Sequence, residues 1–431
     1  MRFGVFYELQ LPRPWGAGDE HRLFKEALEQ VVLADRLGFD YAWDVEHHFL
    51  DEYSHSSAPE VFLAAAAGRT SRIRLGHGIR QVIPNYNHPA RTAEGLATLD
   101  LLSDGRVEFG IGEGATRLEL GAFGIPAKRK RALALEAAEQ ICNMMVLTPY
   151  PGYEGEGFSM PCRNVLPKPL QQPHPPLWMA CTNRETIKAA ARNGVGALAF
   201  SFLDPEEARS WSQVYYDIIR SEECVPLGWS VNANIAMVSA FSMHRDRAEA
   251  IRRGQDNFEF FRYAQQRLVA EDFVPGHSNM WDDFRAKRGD ASDRLVQAAL
   301  SRAEYDGAGI GTPDDMRRHL ASLQEAGVDQ VIFMQQAGRN PHANICESLE
   351  LFASEVMPEF AREVAAREAA KAVELAPFIE AALARKPRMA ALAADEVPVV
   401  RASVQAATFD AQRQRQLAAA AAGERGNDNG R

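Results

Sequence analysis

Residues 22–37 read RLFKEALEQVVLADRL, between FGVFY at 3–7 and YAWDV at 41–45. The middle run repeats its apolar residues every three or four positions, the spacing of one helix face, and Gly38 follows as a stop signal. The flanking runs are short, apolar and rich in β-branched and aromatic residues, and read as strands. Strand, helix and strand at this spacing form a βαβ unit, which makes the two strands parallel.

The unit repeats along the chain. Further strands are expected at IRLGHGI (73–79), RVEFGIG (106–112), PLWMA (176–180), GALAFSF (196–202), 230–241 and DQVIFM (329–334). Helices are expected over 59–70, 89–103, about 128–147, 183–193, 205–222, 312–327 and 341–365, with Thr312 as N-cap and Pro313 at the first position of one of them. Eight strands, nearly all followed by a helix, make the count of a (β/α)8 TIM barrel. A doubly wound open sheet is the alternative, but no GxGxxG follows the first strand. The barrel domain is expected over 1–365, with a Pro-rich insertion at about 148–176 and a long one at about 243–310. Residues 366–414 are rich in Ala, Arg and Glu and read as a helical C-terminal extension; 415–431 read as a disordered tail.

Bulk properties exclude several functions. The net charge is −10 without a basic block, which disfavours nucleic acid and anionic membranes as partners. The five cysteines are scattered and form no CxxC pair, which suits a reducing cytosol and neither a disulfide framework nor a zinc site. No leader pattern opens the chain and no 18-residue apolar span follows, so a cytoplasmic protein is expected.

Barrel active groups sit at the C-terminal ends of the strands. That rule gathers Glu8, then Glu46, His47 and His48, then Gly78 and Ile79, then Gly112, Glu113 and Gly114, then Ala180, Cys181, Thr182 and Asn183, then Ser201 and Phe202, and last Gln335 and Gln336. In WDVEHHF (43–49) the chain leaves its strand, so one histidine can face the mouth while its neighbour supports it; the alternative is a hydrogen-bonded loop corner. Neither HxH nor HExxH occurs there, so no metal is expected. In MACTNRET (179–186) Thr182 or Asn183 can cap a helix whose N–H groups bind an anion, or can be an ordinary cap. The glycines of GIGEG (110–114) permit close backbone approach to a ligand, or only a tight turn. Glu8, Trp43 and Phe202 suggest a partly aromatic substrate pocket, Arg106 a structural role, and His88 and Arg91 either site residues or helix-start contacts.

Taken together, MRFGVF, LGFDYAWDVEHHF, IRLGHGI with NHPAR, LDLLSDGRVEFGIGEG, PLWMACTNRET and AGVDQVIF make residues 1–360 resemble the bacterial luciferase-like flavin monooxygenases. The resemblance implies a TIM barrel that takes reduced FMN from solution and reacts it with O2 to a C4a-peroxyflavin, which oxidises a small, mostly apolar molecule. It makes His47 catalytic, with His48 beside it, in an imidazole tuned near neutrality. It puts a non-prolyl cis peptide at Gly78–Ile79 against the flavin, Gly112, Gly114 and Ala180 around it, and the phosphate at Cys181, Thr182 and Asn183. Two departures stand out. Luciferase's reactive cysteine is Gly112 here, and the adjacent phosphate-binding arginine is Glu113, so Arg184 or Arg117 must supply the cation, or the flavin is held differently. The 243–310 segment is the expected lid. No NAD(P)H fingerprint occurs, which calls for a separate NAD(P)H:flavin reductase. The resemblance also implies a homodimer. Its two alternatives are an F420-dependent dehydrogenase on the same barrel and a non-catalytic flavin-binding subunit.

Overall fold

The computed structural model describes residues 1–200, 204–290, 292–300, 309–402 and 412–416. Phe202 and the end of its strand, and the tail from 417, therefore lie outside the described residues. Two compact units are present, Met1–Met389 and Ala390–Arg431.

In the first unit eight strands close a barrel: β1 (Arg2–Tyr7), β2 (Tyr41–Asp44), β3 (Arg74–Gln81), β4 (Val107–Gly112), β5 (Leu177–Cys181), β6 (Gly196–Ala199), β7 (Ile235–Ser239) and β8 (Gln330–Gln335). They follow one another round the ring in chain order, all parallel, and β8 closes on β1 with Phe3 opposite Val331 and Tyr7 opposite Gln335. This is the expected (β/α)8 barrel. Alternate residues fill the interior and the outer layer. Phe6, Trp43, Trp178, Leu198 and Ile332 pack inside; Phe3, Val5, Ala42 and Phe333 pack outward on the helices. Gly76 is required by this interior, since a Cβ there would lie 2.1 Å from the Trp43 ring.

The helices that shape the site are α1 (Asp19–Leu37), α2 (Pro59–Ala67), α3 (Pro89–Leu102), α4 (Arg117–Ala122), α5 (Lys130–Val146), α6 (Arg184–Arg192), α7 (Pro205–Ile219), α8 (Arg247–Ala270) and α9 (Met280–Lys287). Gly38 ends α1 at φ 95°, where its N–H reaches the carbonyls of Ala34 and Asp35. Later in the chain come Pro313–Glu325, capped by Thr312 as expected, His342–Glu355, and the long helix α10 (Val364–Arg385).

Both insertions carry strands that the pattern did not announce. Tyr150–Glu154 pairs antiparallel with Ser159–Arg163, and Ser242–Met243 pairs with Ile310–Gly311. The expected helix over 341–365 is broken, with separate pieces at His342–Glu355, Met357–Ala361 and the start of α10. Among the described residues no helix is long and apolar enough to cross a membrane.

Candidate active site

β2 ends at Asp44, and the following loop carries both histidines. The His47 N–H donates to the Ser56 carbonyl at 2.8 Å, which fixes the corner. The imidazole then stands between two carboxylates. Its Nδ1 lies 3.0 Å from Glu119 Oε1, and its Nε2 lies 3.7 Å from Glu8 Oε2. Glu119 belongs to the capping box of α4: its N–H donates to the Thr116 hydroxyl, and the hydroxyl donates to Glu119 Oε2 at 2.8 Å. The cap thus occupies one carboxylate oxygen and aims the other at His47.

Burial disfavours the charge on His47, but the carboxylates of Glu119, Glu8 and Glu46 outweigh it and raise its pKa to about 9. The near-neutral imidazole expected from the sequence is therefore an imidazolium, with both nitrogens donors. Burial pushes Glu8 the other way from solution behaviour, up to about 7, although His47 and the Tyr53 hydroxyl oppose it. Burial also acts on Glu119, but His47 holds that carboxyl below its usual range.

His48 turns away. Its Nε2 meets Glu46 Oε1 at 3.2 Å, and its ring stacks on Tyr86 and meets the edge of Phe123. Glu46 also accepts from the Gln81 N–H at 2.9 Å and the Asn87 amide at 2.8 Å. Adjacent residues thus divide as the loop reading allowed, one ring at the mouth and one in the supporting wall.

His47 opens on a cavity of about 1150 Å³ at the strand ends. Glu8, Gly78, Ile79, Gly112, Gly114, Ala180, Thr182 and Asn183 line it; His48, Trp43 and Cys181 are not among its described lining residues. Trp43 is sealed in the barrel interior, its ring 5.4 Å from that of Trp178. Cys181 is buried with its thiol against the Thr186 carbonyl. The apolar floor is Ile79, Ile111 and Met179. Gly112 keeps Ile79 there, because a Cβ at 112 would sit 1.8 Å from Ile79 Cδ1.

The expected cis bond at Gly78–Ile79 is a correction. The cis bonds of the described chain all precede proline, at Pro14, Pro149, Pro167 and Pro173. What β3 has instead is a register shift against β4 between His77 and Arg80.

Arg117 lines the cavity and Arg184 is not among the described lining residues, but Arg131 and Lys130 of α5 stand in the wall beside Glu113. Arg131 Nε reaches Glu113 at 2.9 Å and Lys130 Nζ reaches it at 3.3 Å. Burial would raise the Glu113 carboxyl, yet these two cations hold it below its usual range. Asn183 caps α6 by accepting from the Thr186 N–H, while the Thr186 hydroxyl accepts from the N–H groups of Thr182 and Asn183. His88 proves to be the N-cap of α3, and Arg106 is a buried tie to the carbonyls of Ile73, Ala67 and Ser103.

Arg262, Gln265 and Gln266 of α8 and the segment 271–273 also line the cavity, so part of the 243–310 insertion contributes to its wall. Sequence reasoning missed Tyr53, Glu119, Lys130 and Arg131. Only Glu119 had a local signal, the Thr-x-x-Glu spacing of a capping box at 116–119.

Comparison with known proteins agrees with this geometry. The family model for luciferase-like monooxygenases matches residues 1–330. The oxygenase component of flavin-dependent trigonelline monooxygenase from Acinetobacter baylyi is 30% identical over 197 residues, 45% of this chain and 52% of that one. The crystal structure of monooxygenase RslO1 from Streptomyces bottropensis superposes with a TM-score of 0.64 at 27% identity, over 84% of this chain and 100% of that one. The oxygenating constituent of 3,6-diketocamphane monooxygenase from Pseudomonas putida, solved with FMN, shares the fold at a TM-score of 0.66 and 20% identity, over 83% and 98%. A barrel with an imidazolium at its mouth, matched by the family model along most of its length, makes this chain an oxidoreductase of the luciferase-like, flavin-dependent monooxygenase family.

Proposed function

We propose that the chain is the oxygenase half of a two-component system. It takes reduced FMN from a separate NAD(P)H:flavin reductase and, with O2, oxidises a small organic molecule. One observation carries the proposal: one cavity at the strand ends is lined by the His47 imidazolium, by Lys130 and Arg131, and by the apolar side chains of Ile79, Ile111 and Met179.

The residues present fit FMN. Ile79, Ile111 and Met179 offer a flat ring an apolar bed. Two cations against the one carboxylate of Glu113 leave net positive charge in the wall, so a phosphate is attracted there despite Glu113. Thr182 and Asn183 at the start of α6 line the same cavity. Reduced FMN, when bound, supplies the electrons that activate O2. His47 holds a proton at Nε2, ready to donate to an oxygen in the cavity. Helix α8 contributes Leu268, Val269 and Ala270 to the wall, apolar groups that disfavour water beside the reacting oxygen. The relative named as an oxygenase component supports the need for a partner reductase. The five cysteines are free thiols, in keeping with the cytoplasm.

Helix α2 leaves Val61, Ala64, Ala65 and Gly68 exposed along one stripe, the face through which we propose the homodimer forms. Light scattering that gives a monomer overturns that assembly.

The test is an anaerobic titration with photoreduced FMN and, in parallel, reduced F420, followed by mixing with oxygenated buffer. FMN binding with rapid oxygen consumption is expected, and Arg131→Ala should weaken FMN roughly tenfold or more. Preference for F420 without oxygen consumption would move the chain to the dehydrogenase reading. FMN binding with no oxygen consumption would favour a non-catalytic subunit.

A further inference from the structure

We infer that Glu8 is a second proton-handling group of this site and that, paired with His47, it selects substrates bearing a phenol-type hydroxyl. The inference rests on the monooxygenase reading above and adds the chemical class of its substrate.

Glu119 occupies His47 Nδ1, which leaves Nε2 as the nitrogen for a ligand. Glu8 emerges from the end of β1 with 2% of its surface exposed, in the wall of the same cavity. The Tyr53 hydroxyl donates to Glu8 Oε1 at 3.2 Å, while Oε2 is buried with no hydrogen-bond partner among the described residues. Oε2 and His47 Nε2 are 3.7 Å apart. That is too long for a hydrogen bond, and it is a span that one oxygen bridges with two bonds of about 2.8 Å. Such an oxygen must accept from Nε2–H and donate to a carboxylate. A hydroxyl does both, whereas an ether or a hydrocarbon cannot. Tyr53 and Phe200 stand in the same wall, and aromatic walls pack a flat ring well.

The step that follows is a proton transfer. The substrate O–H bond breaks, a carboxylic O–H bond forms at Glu8 Oε2, and the electron pair stays on the substrate oxygen beside the imidazolium. The phenolate is electron-rich at its ring carbons, which suits the electrophilic oxygen that a monooxygenase delivers. Burial moves Glu8 up to about 7, closer to the value of about 10 for a phenol, and so eases the transfer. The groups facing Glu8 are Asp44, His47 and Tyr53 of β2 and its loop, Glu119 of α4, and Arg262 of α8 acting through Tyr53.

Calorimetric titration with phenol and with toluene, across pH, tests this on the intact protein. Phenol should bind roughly tenfold tighter than toluene between about 7 and 9, where Glu8 is ionised and His47 protonated. Its affinity should rise through about 7 and fall through about 9. Glu8→Gln should remove the rise, weaken phenol about tenfold and leave toluene unchanged. Equal affinities for the two probes in the unmodified protein, or an unaltered pH profile in Glu8→Gln, would overturn the inference. A circular dichroism spectrum and thermal transition of Glu8→Gln that match the parent verify its fold independently of the cavity. Loss of the flavin reading shows differently, as a parent protein that discriminates phenol from toluene but does not bind FMN.

Discussion

His47 owes its chemistry to a residue 72 positions away. Strand-end placement alone points to His47 and to Glu8, because both follow barrel strands directly. It cannot supply Glu119, whose spacing from Thr116 encodes a helix cap but not its meeting with an imidazole across the barrel mouth. The consequence is a sign that sequence reasoning had not fixed: the carboxylates overcome burial and leave His47 protonated at neutral pH, its pKa at about 9. If the proton on Nε2 is the working one, turnover holds up to that value and declines above it. His47→Ala should lower turnover by about a hundredfold or more while FMN still binds. Glu119→Gln removes the main carboxylate that keeps the proton on, so the alkaline limb of the pH–rate profile should move to lower pH. An unmoved limb would mean that another group titrates there.

At the scale of elements, the eight barrel strands were legible because parallel strands covered on both faces read as continuous apolar runs. The hairpin in the first insertion was not, since YPGYE and SMPCR carry proline and charge and lie half exposed. The placement of the long insertion was not legible either, because one of its anchors is a buried carboxylate far away in sequence. Glu52, fully buried in the loop after β2, accepts from the Met280 N–H at 2.6 Å, the Trp281 N–H at 3.1 Å and the Arg13 N–H at 2.8 Å. It thereby ties the start of α9 to the loop after β1. Helix α9 in turn packs Trp281 and Phe284 against Phe260 and Tyr263 of α8, a helix that lines the cavity. Glu52→Gln replaces one acceptor oxygen with an NH2 group facing donors. Amide exchange at 280 and 281 should accelerate about tenfold or more, with the barrel strands unaffected. Unchanged exchange there would show that the aromatic contacts and the neighbouring hydrogen bonds at Gly276 and Ser278 hold this segment without Glu52.

For the molecule as a whole, the open question of the sequence was whether the Ala-rich region after 365 belongs with the barrel. Helix α10 packs in the same compact unit as the barrel, which ends at Met389. Two kinds of contact hold it. Lys371 reaches Asp329 and Asn234, each at 2.6 Å, and Asp329 also accepts from the Ile235 N–H at the start of β7. Leu375 and Ala382 are buried between the helix and the barrel layer. The ion pair keeps 23% of each side chain exposed, so solvent screening limits it to about 1 kcal/mol. Leu375 is 2% exposed, and truncating it to alanine loses transfer energy and leaves a cavity, together about 2–4 kcal/mol. Leu375→Ala should therefore lower the thermal transition by several degrees. Lys371→Ala should lower it by distinctly less. The opposite order of the two substitutions would mean that the polar cluster at Asp329, rather than apolar burial, fastens the last helix to the barrel.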